Sequence, residues 1–86
     1  MRYGITKEQF ENLLKKQNNV CPICKKSPIP GQSLHVDHNH ETGEIRGLLH
    51  LNCNAAIGQL EDNPAILRNG AEYLENPPAR GFFSAK

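Results

Sequence analysis

Residues 34–54 read Leu34-His35-Val36-Asp37-His38-Asn39-His40-Glu41-Thr42-Gly43-Glu44-Ile45-Arg46-Gly47-Leu48-Leu49-His50-Leu51-Asn52-Cys53-Asn54. Leu34 to His38 is a short strand candidate, and so is Ile45 to Leu49. Glu41-Thr42-Gly43-Glu44 between them holds the glycine that a tight connection needs. The two strands therefore form an antiparallel hairpin. A helix is expected to begin near Asn52 and to run to about Leu60. The stretch thus encodes strand, strand, helix, with histidines, an aspartate and a cysteine concentrated where the elements meet.

The hairpin is flanked by helices. Residues 6–18 fit a helix. Thr6 and Gln9 have the spacing of a capping box, Ile5 and Phe10 fit the accompanying hydrophobic staple, and Asn18-Asn19 ends the segment. Phe10, Leu13 and Leu14 recur at helical spacing. Residues 20–33 form a loop with two cysteines, three prolines and a glycine. After the central helix, Asp62-Asn63-Pro64 is a break, with Asn63 placed to cap a last helix that has Pro64 at its first position. Ile66, Leu67, Ala71 and Leu74 should supply that helix's buried face. Asn76-Pro77-Pro78 stops it. The reading is one small α+β domain over residues 1–78, followed by a loose tail over 79–86.

The chain has 86 residues, only 37% of them apolar and none of them Trp. A core this thin needs a staple: a disulfide, a metal or a partner chain. Three cysteines cannot all pair with one another. The opening MRYGITKEQF has no apolar run of the secretory kind, and no stretch is long and apolar enough to span a bilayer. An intracellular, reducing compartment is the expectation, and there cysteine pairs more often hold metal.

Cys21-Pro22-Ile23-Cys24 and His50-Leu51-Asn52-Cys53 each separate two soft ligands by two residues. That spacing lets both side chains turn towards one ion. Thiolate and imidazole suit tetrahedral zinc, and four protein ligands close the site against water and substrate. Such a zinc is structural, and contributes on the order of 10 kcal/mol of apparent folding free energy. A rival set, Cys21, Cys24, His38 and His40, is weaker. Its histidines stand two residues apart, whereas finger histidines stand three to five apart, and it strands Cys53.

Leu34 to Gly43, then Arg46-Gly47-Leu48-Leu49, then Cys53-Asn54, flanked by the two ligand pairs, resembles the signature of the phage recombination endonuclease VII family. The resemblance covers about residues 10–75. It implies a ββα-metal fold of the HNH, or His-Me finger, type, with a structural zinc beside a catalytic divalent ion. Carried over by position, it makes His38 the general base, Asp37 and Asn54 the magnesium ligands, and His40 a supporting active-site residue. Cys21, Cys24, His50 and Cys53 match the zinc ligands. The family commonly has cysteine where this chain has His50. It also tends to carry an acidic residue in the helix after the asparagine, where this chain has Ile57.

The chemistry is coherent with those roles. Phosphodiester hydrolysis needs an activated water and stabilised charge on the phosphate and the departing oxygen. Imidazole titrates near working pH and can take a proton from water. Mg²⁺ or Mn²⁺ accepts hard oxygen ligands such as those of Asp37 and Asn54, and magnesium retains several waters. Arg46 is a candidate for a neighbouring phosphate. His35 reads as a structural or solvated histidine, either packed against the hairpin or facing water. Neighbours on a regular strand point to opposite faces, so Asp37 and His38 share a cleft only if the strand ends or bends at 37–38. His38 is then in phase with Leu34 and Val36, and Asp37 turns towards the helix bearing Asn54.

The expected function is a divalent-metal-dependent DNA endonuclease that nicks or cuts double-stranded or branched DNA, with monomer favoured over dimer and a bacterial host cytoplasm as its setting. Junction resolution by a dimer is the alternative. A non-catalytic zinc-stabilised DNA-binding module is another, although residues 52–60 carry no Lys or Arg. A protein-interaction module has only Phe82 and Phe83 in its favour. The net charge of +1 excludes a broad basic field. Contacts to DNA should be local.

Overall fold

A computed structural model describes residues 4–83. The elements run α1 (Lys7–Lys16), β1 (His35–His38), β2 (Ile45–Leu49), α2 (Leu51–Gln59) and α3 (Pro64–Glu75). The chain forms two compact units, Met1–Ala56 and Ile57–Lys86. The first contains the hairpin and both ligand pairs.

Local chemistry sets the helix ends. Thr6 accepts a hydrogen bond from the Gln9 amide at 3.0 Å, and Gln9 Oε1 accepts from the Thr6 amide at 2.8 Å, so the expected capping box forms. At the other end of α1, Asn19 N–H donates to Leu14 O and Asn18 N–H to Lys15 O, both at 2.9 Å. This is a Schellman closure, with Asn18 at φ 58° and Asn19 at φ 61° in the left-handed region that asparagine tolerates.

β1 and β2 pair antiparallel, with His35 opposite Leu49, Val36 opposite Leu48, Asp37 opposite Gly47 and His38 opposite Ile45. Two consecutive residues of β1 thus face Gly47 and Ile45, and Arg46 is the extra residue of a bulge. The bend expected at 37–38 is present. Beyond it, Asn39 N–H donates to Glu44 O at 2.8 Å, and Asn39 Oδ1 accepts from the amides of Glu41 and Thr42. Gly43, at φ 80°, makes the left-handed step that returns the chain.

Among the described residues, the buried apolar side chains are Cys21, Leu34, Val36, Leu48 and Leu49. α1 is fastened to this small core by an amide. Gln17 Nε2 donates to Leu48 O at 2.9 Å and to Val20 O at 3.1 Å, while Gln17 Oε1 accepts from Leu48 N–H at 2.8 Å. The Gln17 side chain satisfies the outer edge of β2 as a further strand would. Gly47 makes room for it, because a Cβ there would stand 3.2 Å from Gln17 Oε1.

In the second unit, α2 closes with Asp62 N–H on Ile57 O at 2.7 Å and Glu61 N–H on Gly58 O at 3.0 Å. Glu61, at φ 63°, occupies the left-handed position that glycine prefers. Asn63 caps α3 through Ala65 N–H at 2.9 Å and Ile66 N–H at 3.3 Å, with Pro64 in the first turn as expected. The buried face expected of α3 is not found. Ile66 is half-buried, but Leu67 is 37% and Leu74 75% exposed, and Ala71 is exposed too. Helical spacing makes an apolar stripe, but burying it takes a second layer to cover it. Residues 79–83 form turns, with Arg80 N–H on Pro77 O and Phe82 N–H on Ala79 O. No helix among the described residues is long and apolar enough to cross a membrane.

Two outcomes test these attachments. Gln17→Ala removes both partners of the Leu48 backbone, and thermal unfolding should show a loss of about 2 kcal/mol. Glu61→Gly should stabilise by about 1 kcal/mol, raising the melting temperature by a few degrees, because a left-handed glycine carries no Cβ penalty.

Candidate functional site

The cysteine turn is built by the backbone. Lys25 N–H donates to Cys21 O at 2.8 Å and Cys21 N–H to Lys26 O at 3.0 Å, so Cys21 and Cys24 sit on one tight turn. His50 follows β2 directly and leads into α2. One ligand atom from each of Cys21, Cys24 and His50 lies within 4.8 Å of the others.

The imidazole is already oriented. His50 Nε2 lies 2.7 Å from Ser27 O, and Nδ1 lies 3.1 Å from Cys24 Sγ. A carbonyl can only accept, so Nε2 carries the proton and Nδ1 presents its lone pair to the thiol cluster. A carbonyl that fixes the far nitrogen of a ligating histidine is the usual outer-shell support of a metal site. Tetrahedral zinc with Zn–S of about 2.3 Å and Zn–N of about 2.0 Å sets its ligands roughly 3.5 Å apart. Cys24 Sγ and His50 Nδ1, 3.1 Å apart, are near that spacing and all three ligand atoms lie within 4.8 Å of one another, so the cluster can hold a metal such as zinc.

Two thiols are strongly perturbed. Burial pushes the Cys21 thiol up, but backbone N–H groups of Cys24, His50 and Ile23 and the Cys24 side chain outweigh it, and its pKa falls to about 6. Cys21 is thus mainly thiolate at neutral pH, the form that binds metal. Burial raises Cys53 to about 11, assisted by hydrogen bonds to Cys21 and Cys24 and by their negative charge. Cys53 is not in the tight trio, yet its thiol reaches two of that trio's members.

A second group gathers at the bulge. Asp37 is buried, at 6% exposure. Both its oxygens are taken by Arg46, with Nε to Oδ2 at 2.8 Å and Nη2 to Oδ1 at 2.9 Å. This bidentate pair joins a bulge residue to the strand opposite: the sequence offers Arg46 or a nearby lysine as a candidate phosphate contact, and the structure sets the Arg46 guanidinium on Asp37. The signal was present as opposite charges in the two facing strands, but only the bulged register brings them together. His38 and His40 lie with ring centroids 4.7 Å apart and planes at 55°. His38 is half-buried and His40 exposed. Asn54 stands half-buried in the first turn of α2, its amide donating to His50 O at 2.9 Å.

The structure therefore brings together Cys21, Cys24 and His50 with Cys53 at their margin, and separately Asp37 with Arg46 and His38 with His40. Gln17 and Ser27 are supporting residues that sequence reasoning missed. Neither has a motif: the Gln17 side chain acts on the backbone of Leu48, 31 residues away, and the Ser27 carbonyl on the ring of His50, 23 residues away.

Comparison with known proteins agrees with this picture. A family model described as recombination endonuclease VII matches residues 1–76. The Gene 59 protein of Mycobacterium phage L5 is 38% identical over 78 residues, covering 90% of this chain and 48% of that protein. The Gene 59 protein of Mycobacterium phage D29 is 40% identical over 78 residues, covering 90% of this chain and 47% of that protein. The chain spans about half the length of these relatives. With its hairpin, its metal-competent cysteine and histidine cluster and a match over most of its length, the chain belongs to the recombination endonuclease VII family.

Proposed function

We propose that this chain is a phage-type DNA endonuclease of the ββα-metal, His-Me finger class that hydrolyses phosphodiester bonds in a bacterial host. The observation that carries the reading is the bulge at Asp37/His38. There the buried Asp37 carboxylate is followed by His38 at the end of β1, and the His38 ring centroid lies 4.7 Å from that of His40 in the turn just beyond.

In this reading Cys21, Cys24, His50 and Cys53 hold a structural zinc. The Cys21 thiolate and the proton-fixed His50 are suited to it, and Cys53 completes the set by losing its proton as the ion binds. Asp37 and Asn54 would hold Mg²⁺ or Mn²⁺. The Asp37 carboxylate suits a hard cation; Arg46 takes one acceptor site on each oxygen, so the ion would share the group with the guanidinium through the remaining lone pairs. When bound, that ion neutralises charge on the phosphate and on the departing oxygen.

His38 takes the proton from the attacking water. His40, against the His38 ring, limits the orientations that ring can adopt. The Arg46 guanidinium holds the Asp37 carboxylate in one plane. Nicking or double-strand cutting by a monomer is the primary form of the activity. Junction resolution by a dimer is the second form, favoured by the family's description as a recombination endonuclease.

Zinc-loaded protein with supercoiled plasmid should nick only when Mg²⁺ or Mn²⁺ is supplied, and His38→Ala should lower the rate by about 10²–10⁴-fold. DNA binding with no cleavage at either ion would refute the enzyme reading and favour the binding module. Chelation of the structural metal, followed by circular dichroism, should unfold the first unit. Retention of its thermal transition after metal removal would overturn the zinc assignment.

A further inference from the structure

One open groove, of about 460 Å³, is lined by Leu13, Lys16, Gln17, Asn18, Val20, Pro22, Lys25 and Arg46. Three of these residues are cationic and none is acidic. Arg46 shares its charge with Asp37, so in a chain of net charge +1 the groove's positive charge rests mainly on Lys16 and Lys25. Its sources are independent: Lys16 is in the last turn of α1, Lys25 closes the cysteine turn and Arg46 is the bulge residue. Lys16 and Lys25 are exposed.

Lys25 adds a second observation. It adopts φ 66°, a left-handed conformation that lysine rarely takes and glycine takes freely. Nothing in the turn's hydrogen bonds needs a lysine side chain, since both run through backbone atoms. The backbone bonds of the turn fix where the Lys25 side chain leaves the chain, and that exposed side chain lines the groove.

We propose that this groove is the track for the DNA backbone, with Lys16 and Lys25 as phosphate contacts and Arg46 as the point where the track meets Asp37. The reading rests on the proposed endonuclease function and adds its substrate-binding surface. Arg46 lines the groove and its guanidinium bonds Asp37, so a strand lying along Lys16 and Lys25 is led towards the bulge. The contacts are to phosphate and carry no base information. Affinity should therefore depend on salt and be indifferent to sequence.

The test uses zinc-loaded full chain, without added magnesium, and two fluorescent duplexes of unrelated sequence, with anisotropy read across a salt series. Lys16→Gln with Lys25→Gln should weaken binding about tenfold on both duplexes, and should reduce the slope of log K against log salt by about 2. Lys7→Gln with Lys15→Gln removes the same charge from outside the groove and should leave both quantities near wild type. Lys25→Gly should melt no lower than wild type, because it relieves the strained turn, yet should bind more weakly. That split separates a phosphate contact from a structural role. If the groove pair binds as wild type, or the control pair loses as much, the track is not there. Plasmid nicking by wild type alongside either result leaves the endonuclease reading standing. Wild type that neither binds nor nicks DNA removes both.

Discussion

The turn at Cys21–Cys24 must meet His50 across 26 residues of sequence, and the rest of the first unit is arranged around that meeting. The buried apolar set is small, and Cys21 is itself one of its members. The same residue therefore serves as core and as metal-competent thiolate. Polar attachments do the work that apolar area does in larger domains. The Gln17 amide closes the edge of β2, and the Ser27 carbonyl fixes the tautomer of His50. Polar contacts are directional, so a few of them can define a geometry that a handful of buried side chains would leave loose.

The bulge is the second constraint. A regular hairpin would set Asp37 and His38 on opposite faces. One extra residue in β2 shifts the register between them and increases the local twist. That residue is Arg46, and its side chain returns across the sheet to hold Asp37. A single insertion thereby provides the bend and the partner that steadies the carboxylate. Gly47, next to it, gives up its side chain so that Gln17 can reach the strand. Arg46 thus holds the carboxylate of the candidate active site, and Gly47 beside it leaves room for the attachment of α1.

The second unit follows a different logic. α3 has a well-formed cap and a clear stripe, yet most of the stripe is exposed. Its ends are specified by neighbours within four residues, whereas covering its face needs apolar surface from elsewhere. The phage relatives are about twice as long as the stretch aligned to this chain. Helix formation and helix burial are separate events, and only the first is local.

Much of the architecture was legible in the sequence because it is decided over short spans. The Thr6–Gln9 box, the Asn63-Pro64 cap, the Gly43 turn and the two pairs of soft ligands each involve residues within a few positions. Peptide geometry leaves them few alternatives. The family could be read from the order of these same elements. The contacts made by the Arg46 and Gln17 side chains and by the Ser27 carbonyl could not, because a long polar side chain or a loop carbonyl can meet many partners and sequence spacing does not choose among them. Only the folded backbone, by setting β2 beside α1 and the bulge beside Asp37, decided which carbonyl, amide or carboxylate stood within 3 Å.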